Sequence, residues 1–360
     1  MSPVVADRVP PSHRFRVAPF AALALPLCCV AAFLMASRAA AHHSAAIYDD
    51  KKTITVTGTV SKFEWSNPHV YIFLSQANKA GQLIEWEVEC SPPSILGRLG
   101  WSPASLHPGD TVAVTGRPAR DPERKALLPT LIKRGDVTLF ERKGELAQLA
   151  NVGAAPPVGI KAIGLEGVWV TRLSVKLEKA LDGDNLALTI KGKAAYKHFD
   201  EKTMHPGTAC VPTPAPFLMI TPDLKRITLG DGVILIDGEF DSAQRTIHMD
   251  MNSHEGATAS IQGHSIGQWQ EGSLYIDTIL FAPHAMGNGY GVPSAAKKHL
   301  TERLTPDASG TTLTYHFEVT DPEFLAHPVQ GDVQWEYRPN LVYAPPKCDP
   351  ENARRSFRTN

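Results

Sequence analysis

Short runs of alternating apolar and polar residues recur along this chain and limit the folds it can adopt. In the front half these runs are TITVTGTVSKF (53–63), HVYIFLS (69–75) and LIEWEVE (83–89). Alternation with a period of two, in segments rich in β-branched and aromatic residues, predicts β-strands. The chain is therefore expected to be mainly β.

The front half also has a recognisable order of elements. PPSILGRLGW (92–101) opens with proline and closes near glycine, which predicts one short helix. Two strand-like segments follow, at 108–119 and 126–140. Three strands, a helix and two strands over about 90 residues are typical of an OB-like small barrel, which we place at 42–143.

The back half predicts a larger β domain. Residues 144–163 are rich in Ala, Gly and Pro and suit a linker. From 164 to 348, short runs such as LALTIKG (186–192) and SLYIDTI (273–279) alternate with turn residues at roughly ten-residue spacing. This rhythm indicates an antiparallel barrel or sandwich. One helix is predicted at 194–204, the segment 281–294 as a glycine-rich loop, and 349–360 as a tail.

The Gly167-Val168-Trp169 segment is similar to the G-x-W found at the base of lipocalin-like barrels. In that case the back domain would be a lipocalin-like barrel able to hold a small apolar ligand, with Trp169 among the ligand-binding residues.

Residues 1–41 have the pattern of an export signal. An apolar run from Val17 to Met35 follows a basic leader, and the small residues Ser37 and Ala39 to Ala41 come after it. This order predicts a signal peptide, a periplasmic or secreted protein, and no membrane span after processing. A membrane anchor is the alternative, since 19 apolar residues could just cross a bilayer.

Processing would expose histidines. Cleavage after Ala41 would leave His42 as the first residue and His43 as the second, and cleavage after Ala39 would leave His42 third. Either end could hold Cu(II) through its amine and imidazole nitrogens. His69 could add a further nitrogen, with Glu64 or Glu85 orienting its ring. The plainer interpretation, which we prefer, is a solvated terminus and a His69 that only starts a strand after an Asn-Pro turn.

The net charge limits the classes of partner, and the cysteine content bears on whether a disulfide can form. Without residues 1–41 the net charge falls to about −4, which argues against nucleic acid as a partner. Cys90, Cys210 and Cys348 remain, so one disulfide is possible in an oxidising compartment. Cys210 and Cys348 are the favoured pair, because they lie near the two ends of the second domain.

Several polar residues in the back half could converge at one end of the barrel. They are Asp250, His254, His264, Asp277 and His284. Carboxylates and imidazoles together can bind a metal or act as acid and base. We take His264, Trp269 and His284 as further candidate ligand-binding residues.

A hydrolase is a weaker hypothesis. The string Gly263-His-Ser-Ile-Gly267 fits G-x-S-x-G, with Ser265 in the nucleophile's place. A nucleophile elbow needs a helix after the turn, and here a strand is predicted instead. We therefore interpret this segment as strand packing.

With these segments in place, the chain resembles a family of uncharacterised exported bacterial proteins. The front half is similar through AHHS (41–44), WSNPH (65–69) and HPGDTVAVTGRPARD (107–121), and the back half through GHSIGQWQEGSLYIDT (263–278) and TDPEF (320–324). The resemblance implies no activity. Asn252-Ser253 stand where the family's back module usually has Gly-Arg, and His327-Pro328-Val329 stand where Pro-Trp is usual.

No catalytic set emerges from the sequence. We expect a non-enzymatic exported protein that binds a small molecule or a protein partner. The alternatives are a copper protein that uses the processed N-terminal histidine and, less favoured, a hydrolase.

Overall fold

Two closed β-barrels, joined in one chain, account for most of the computed structural model. It describes residues 47–143, 162, 164–172, 174–239, 243–343, 345 and 347–357. The predicted fold class is confirmed: the protein is mainly β, with a small five-stranded barrel followed by a larger nine-stranded one. The signal peptide and most of the linker predicted from the sequence lie outside the described residues.

The front barrel has the strand order of an OB fold. Its elements are β1 (Ile54–Glu64), β2 (Tyr71–Ala77), β3 (Leu83–Glu89), helix α1 (Pro93–Arg98), β4 (Thr111–Pro118), β5 (Ala126–Arg134) and β6 (Val137–Glu141). Strands pair antiparallel in the order β3-β2-β1-β4-β5, and a parallel pairing of β3 with β5 closes the barrel. Strand β6 extends the sheet by pairing with β5.

Alternation in the sequence produces this barrel directly. In β1, Val56 and Val60 are buried while their neighbours are exposed, as expected for a strand with one face on a core. Between them, a Cβ on Gly58 would lie 2.8 Å from the backbone oxygen of Ser75. Glycine is therefore required where β1 and β2 approach most closely.

The back barrel closes through nine strands. Its strands are β7 (Gly167–Thr171), β8 (Leu224–Leu229), β9 (Val233–Gly238), β10 (Gln244–His248), β11 (His264–Gln270), β12 (Ser273–Ile279), β15 (His299–Pro306), β16 (Thr312–Thr320) and β17 (Val329–Tyr337), and a separate hairpin contains β13 (His284–Gly289) and β14 (Val292–Ser294). An odd number of strands cannot alternate in direction all the way round. One neighbouring pair, β10 and β11, is accordingly parallel.

Side chains fill the interior of the back barrel. Trp169, Trp335 and Tyr315 are each 0% exposed and belong to its core. The indole N–H of Trp169 donates to the carbonyl of Leu165 at 2.8 Å, and its ring packs against Tyr337. Trp169 is therefore a core residue here, not a ligand contact as the G-x-W similarity suggested.

Three local predictions were wrong. Residues 186–192 form no strand: Thr189 caps a helix by accepting a hydrogen bond from the Gly192 N–H, and α3 (Ile190–His198) follows. The glycine-rich segment 281–294 contains the β13–β14 hairpin rather than only a loop. The tail contains a helix, α6 (Pro350–Phe357).

Short helices occupy most of the chain between β7 and β8. They are α2 (Val175–Ala180), α3, α4 (Glu201–Met204), a 3₁₀ turn (Pro206–Ala209) and α5 (Phe217–Ile220). Within the described part of the chain, no helix combines the length and the apolar character needed to cross a bilayer.

The C-terminal segment ties the two barrels together. Cys348 forms a disulfide with Cys210, which follows the 3₁₀ turn of the back domain. Next to it, Asn67 of the front barrel exchanges backbone hydrogen bonds with Lys347 and Asp349. The amide of Asn352 in α6 donates to the Ser66 hydroxyl and to the His69 carbonyl, at 2.8 Å each.

Candidate functional site

Four histidines and one aspartate gather on the outer face of the back barrel, and we call them the His–Asp cluster. Its members are His248, His254, His264, Asp277 and His299. Four of them come from the neighbouring strands β10, β11, β12 and β15, and His254 comes from the connection between β10 and β11. The strand pattern explains the outward direction, since inward-facing positions on these strands are buried, as at Ile247, Ser265 and Thr278.

A chain of hydrogen bonds connects the cluster. His254 Nε2 lies 3.0 Å from Asp277 Oδ2, and His299 Nε2 lies 2.6 Å from Asp277 Oδ1. The Nδ1 atoms of His254 and His264 are 2.8 Å apart, and the rings of His248 and His264 stack at 4.8 Å. A carboxylate only accepts hydrogen bonds, so it fixes the proton of His254 on Nε2 and leaves Nδ1 facing His264.

The electrostatics of the cluster disfavour the charged form of His264. Burial lowers the pKa of His264, and the neighbouring imidazoles of His248 and His254 lower it further. Asp277 keeps nearly half of its side chain exposed, so the cluster is open to solvent on one side.

A concavity of about 290 Å³ adjoins the cluster. Strand register places Ile266, Asp277 and Thr301 side by side across three strands, with Gln268 and Tyr275 in the next row. These five residues line the concavity together with Ile276 and Glu302. It therefore combines a carboxylate, an amide and a hydroxyl with an aromatic ring and an aliphatic side chain.

A buried polar network lies beneath this surface, inside the barrel. Arg245 and Glu302 form a salt bridge in which both side chains are 0% exposed. Glu302 also accepts from the Tyr315 hydroxyl at 2.7 Å, and Arg245 donates to Ser265 and Thr278. These bonds hold β10, β11, β12, β15 and β16 together, and most of these strands carry the cluster.

Ser265 belongs to that network. Its hydroxyl is buried and receives hydrogen bonds from Arg245 and Thr278, both at 3.0 Å. The described hydrogen bonds of Ser265 are to Arg245 and Thr278 and not to a histidine, so the geometry agrees with the packing role that the sequence favoured.

The other predicted residues of the back domain are dispersed. Trp269 is 47% exposed near the end of β11. His284 is buried, its Nδ1 accepts from the Met286 N–H at 3.1 Å, and burial lowers its pKa to about 4. Asp250 lies beside Gly232. Of the five residues expected to converge, the structure brings together His254, His264 and Asp277.

Sequence analysis missed His248 and His299. Both occupy the outward end position of a strand, where an exposed histidine is unremarkable in the sequence. One signal was available, because His264 and Asp277 both lie in the GHSIGQWQEGSLYIDT segment, which folds as the β11–β12 hairpin. At its turn, Glu271 and Gly272 both have positive φ, as a tight two-residue hairpin turn requires.

In the front barrel, His69 lies beside a buried pair. Its Nδ1 is 3.0 Å from the carbonyl of Cys90, and its Nε2 is 3.7 Å from Glu89 Oε1. The other oxygen of Glu89 accepts from the Tyr48 hydroxyl at 2.9 Å. The partner carboxylate is thus Glu89, whereas Glu64 pairs with Arg355 and Glu85 accepts from Ser61. His42 and His43 lie outside the described residues.

No group of three or more His, Cys, Asp or Glu side chains in the described ranges has a geometry ready to hold a metal ion.

Comparisons with known proteins add little about function. Residues 30–128 match the model of a family of unknown function, DUF6152, which confirms the resemblance of the front half to an uncharacterised family. No curated protein matches the chain. Among solved structures, one chain of the S. pombe Stn1-ten1 complex is similar at 14% identity with a TM-score of 0.18. That match covers 26% of this chain and 63% of the other. At this TM-score the similarity carries no inference.

Proposed function

We propose that this is an exported, non-enzymatic binding protein that takes a small ligand into the concavity beside the His–Asp cluster. The single observation that carries the proposal is the concavity itself, lined by Ile266, Gln268, Tyr275, Asp277 and Thr301 on a rigid sheet. A few polar groups placed among apolar ones are typical of small-molecule sites. The buried Arg245–Glu302 network supports this view, because it stiffens the strands that carry the site.

The residues that line the concavity indicate a class of ligand. Asp277 supplies a carboxylate that accepts hydrogen bonds, and Gln268 and Thr301 can donate or accept them. Tyr275, which is 38% exposed, offers a ring face, and Ile266 offers an aliphatic surface. The ligand that fits carries hydroxyl or amine donors on an apolar frame, such as a sugar or an aromatic amine.

A thermal-shift screen of the full chain with sugars, polyols and aromatic amines, followed by calorimetry, tests the proposal. Tyr275→Ala and Thr301→Ala should each weaken binding of a hit by about tenfold, equivalent to about 1.4 kcal/mol. Thr314→Ala is the matched control, since Thr314 is an exposed threonine on β16, away from the concavity. Equal affinity in all three variants would place the ligand elsewhere, and turnover of the hit would make the protein an enzyme.

A copper protein is a second candidate function, favoured by the surroundings of His69. Tyr48, near the start of the described chain, is bonded to Glu89, whose other oxygen faces His69 Nε2. The six residues from His42 to Tyr48 can span at most roughly 21 Å. If the chain is processed as proposed, its N-terminal histidine would be within that distance of Tyr48.

Sequencing of the mature N-terminus and Cu(II) titration followed by electron paramagnetic resonance test the copper proposal. His69→Ala should reduce the number of nitrogens coupled to the metal by one. The control is His107→Ala, in a turn before β4. An unprocessed N-terminus, or an unchanged spectrum in His69→Ala, would exclude the three-nitrogen site.

A further inference from the structure

Two imidazole nitrogens of the His–Asp cluster face each other at a distance close to that between two nitrogens bound to one metal ion. The Nδ1 atoms of His254 and His264 lie 2.8 Å apart, and only one proton fits between them. In tetrahedral zinc sites, with Zn–N bonds of about 2.0–2.1 Å, two ligand nitrogens are roughly 3.3 Å apart. An outward shift of roughly half an ångström would therefore replace the shared proton with a metal.

The Nε2 atom of His254 already has the kind of hydrogen-bond partner that metal-bound histidines commonly have. Metal-ligating histidines commonly donate their second N–H to a carboxylate, which fixes the tautomer and the orientation of the ring. Asp277 accepts a hydrogen bond from His254 Nε2 through one carboxylate oxygen, and His299 Nε2 is hydrogen-bonded to the other oxygen. The nitrogen left for a ligand bond is Nδ1, which points at His264.

The second nitrogen is available as well. A metal ligand must be a neutral imidazole, and His264 Nδ1 already faces His254 Nδ1 at 2.8 Å. His248, stacked 4.8 Å from the His264 ring, is a further imidazole nearby.

From this geometry we propose that His254 and His264 bind a divalent transition-metal ion through their Nδ1 atoms, with Asp277 orienting His254. Imidazole nitrogens favour Zn²⁺, Cu²⁺ or Ni²⁺ over Mg²⁺ and Ca²⁺, which prefer oxygen ligands. Two protein ligands leave the remaining positions to water, so the site is exchangeable rather than structural. This inference is independent of the organic ligand proposed above.

The plainer explanation is a chain of hydrogen bonds with no metal. In that case the contact between the Nδ1 atoms of His254 and His264 would depend on the proton between them, and added zinc would not bind there. The two explanations therefore differ in whether zinc binds between the two Nδ1 atoms and shifts the His264 proton from Nδ1 to Nε2.

Calorimetric titration of the full chain with ZnCl₂ near neutral pH decides between them. The protein carries His42→Ala and His43→Ala so that the N-terminal histidines do not contribute. One equivalent of zinc should bind, and the Nδ1 proton of His264 moves to Nε2 of the same ring, so no net proton release is expected. His254→Ala and His264→Ala should each weaken the affinity at least tenfold, and Asp277→Asn by about tenfold.

His316→Ala is the matched control. His316 is also paired with an aspartate, Asp332, on the same barrel but away from the cluster. Circular dichroism of every variant checks that it folds. No saturable zinc binding, or equal affinity in His264→Ala and His316→Ala, would overturn the proposal. Tyr275→Ala should weaken binding of the organic ligand and leave zinc binding unchanged. This variant therefore distinguishes a failure of the zinc proposal from a failure of the organic-ligand proposal.

Discussion

At the scale of single residues, buried charged groups in the back barrel are matched with partners. Arg245 and Glu302 are fully buried, and their polar atoms are bonded to one another and to Ser265, Thr278 and Tyr315. Desolvation makes such charges costly unless they are paired. The stability of this barrel is therefore sensitive to the loss of either partner.

Replacement of Arg245 by Met should lower the free energy of unfolding by about 3–5 kcal/mol, because Glu302 would remain buried without its counter-charge. Urea denaturation measures the change. Arg120→Met is the control: Arg120 pairs with Asp50 on the surface, where an ion pair contributes about 0–1 kcal/mol. Similar losses in both variants would contradict the assignment of the buried pair.

Lys298 should make stability depend on pH. Its amine is buried and donates to the carbonyls of Ala215 and Gly287, at 2.7 and 2.6 Å, and burial lowers its pKa to about 7. The carboxylates of Asp321 and Glu302 raise this pKa, and Arg245 lowers it. Above pH 7 the unfolded chain still holds the lysine proton while the folded protein has lost it.

The contribution of Lys298 to the free energy of unfolding should consequently rise by about 1.4 kcal/mol per pH unit above pH 7, up to the ordinary lysine pKa. Denaturation of the wild type and of Lys298→Met at several pH values above neutrality measures this contribution. The difference between their free energies of unfolding should grow with pH. Lys297→Met, at an exposed neighbour, is the control. A difference that stays constant with pH would contradict the prediction.

At the scale of elements, the C-terminal helix α6 is held to the front barrel by polar contacts. Arg355 pairs with Glu64, and its guanidinium lies over the rings of Tyr71 and Phe73, at 5.1 and 4.9 Å. The helix is short, so these contacts and the nearby disulfide decide its position rather than helix propensity.

Replacement of both Cys210 and Cys348 by serine should lower the free energy of unfolding by about 2–4 kcal/mol, since the disulfide closes a loop of 138 residues. Guanidinium denaturation measures this loss. Reductant should have the same effect on the wild type and none on the double variant. Cys90→Ser is not a suitable control, because Cys90 is buried in the front core.

At the scale of the whole molecule, a salt bridge joins the two barrels. Arg98 at the end of α1 pairs with Glu239, which follows β9 and also accepts from the Leu224 N–H. Burial raises the pKa of Glu239, and Arg98 counteracts that rise. The front barrel therefore compensates a buried charge in the back barrel.

Arg98→Met should separate the unfolding of the two barrels. Without its partner, Glu239 is a buried unpaired carboxylate, so the back barrel should lose about 3 kcal/mol or more. Calorimetry should show its transition moving to lower temperature. Glu239→Gln in the Arg98→Met background should restore much of the loss, and no restoration would show that the charge is not the cause.

The strands could be predicted from the sequence alone, because alternation and turn residues are local properties of the chain. It predicted the five strands of the front barrel and most strands of the back barrel. It also favoured the Cys210–Cys348 pair. It did not predict α6, and it predicted the helix after Thr189 only from residue 194, because a cap and long-range packing fix the limits of those segments rather than hydrophobic periodicity.

Which polar residues share a site depends on the three-dimensional fold. His248 and His299 are separated by 50 residues and meet the same cluster because strand order and register bring β10, β11, β12 and β15 together. Conversely, His284 and Trp169, which the sequence offered as ligand contacts, became buried when the chain folded. Register in a closed barrel depends on every strand at once, so no local segment of the sequence contains it.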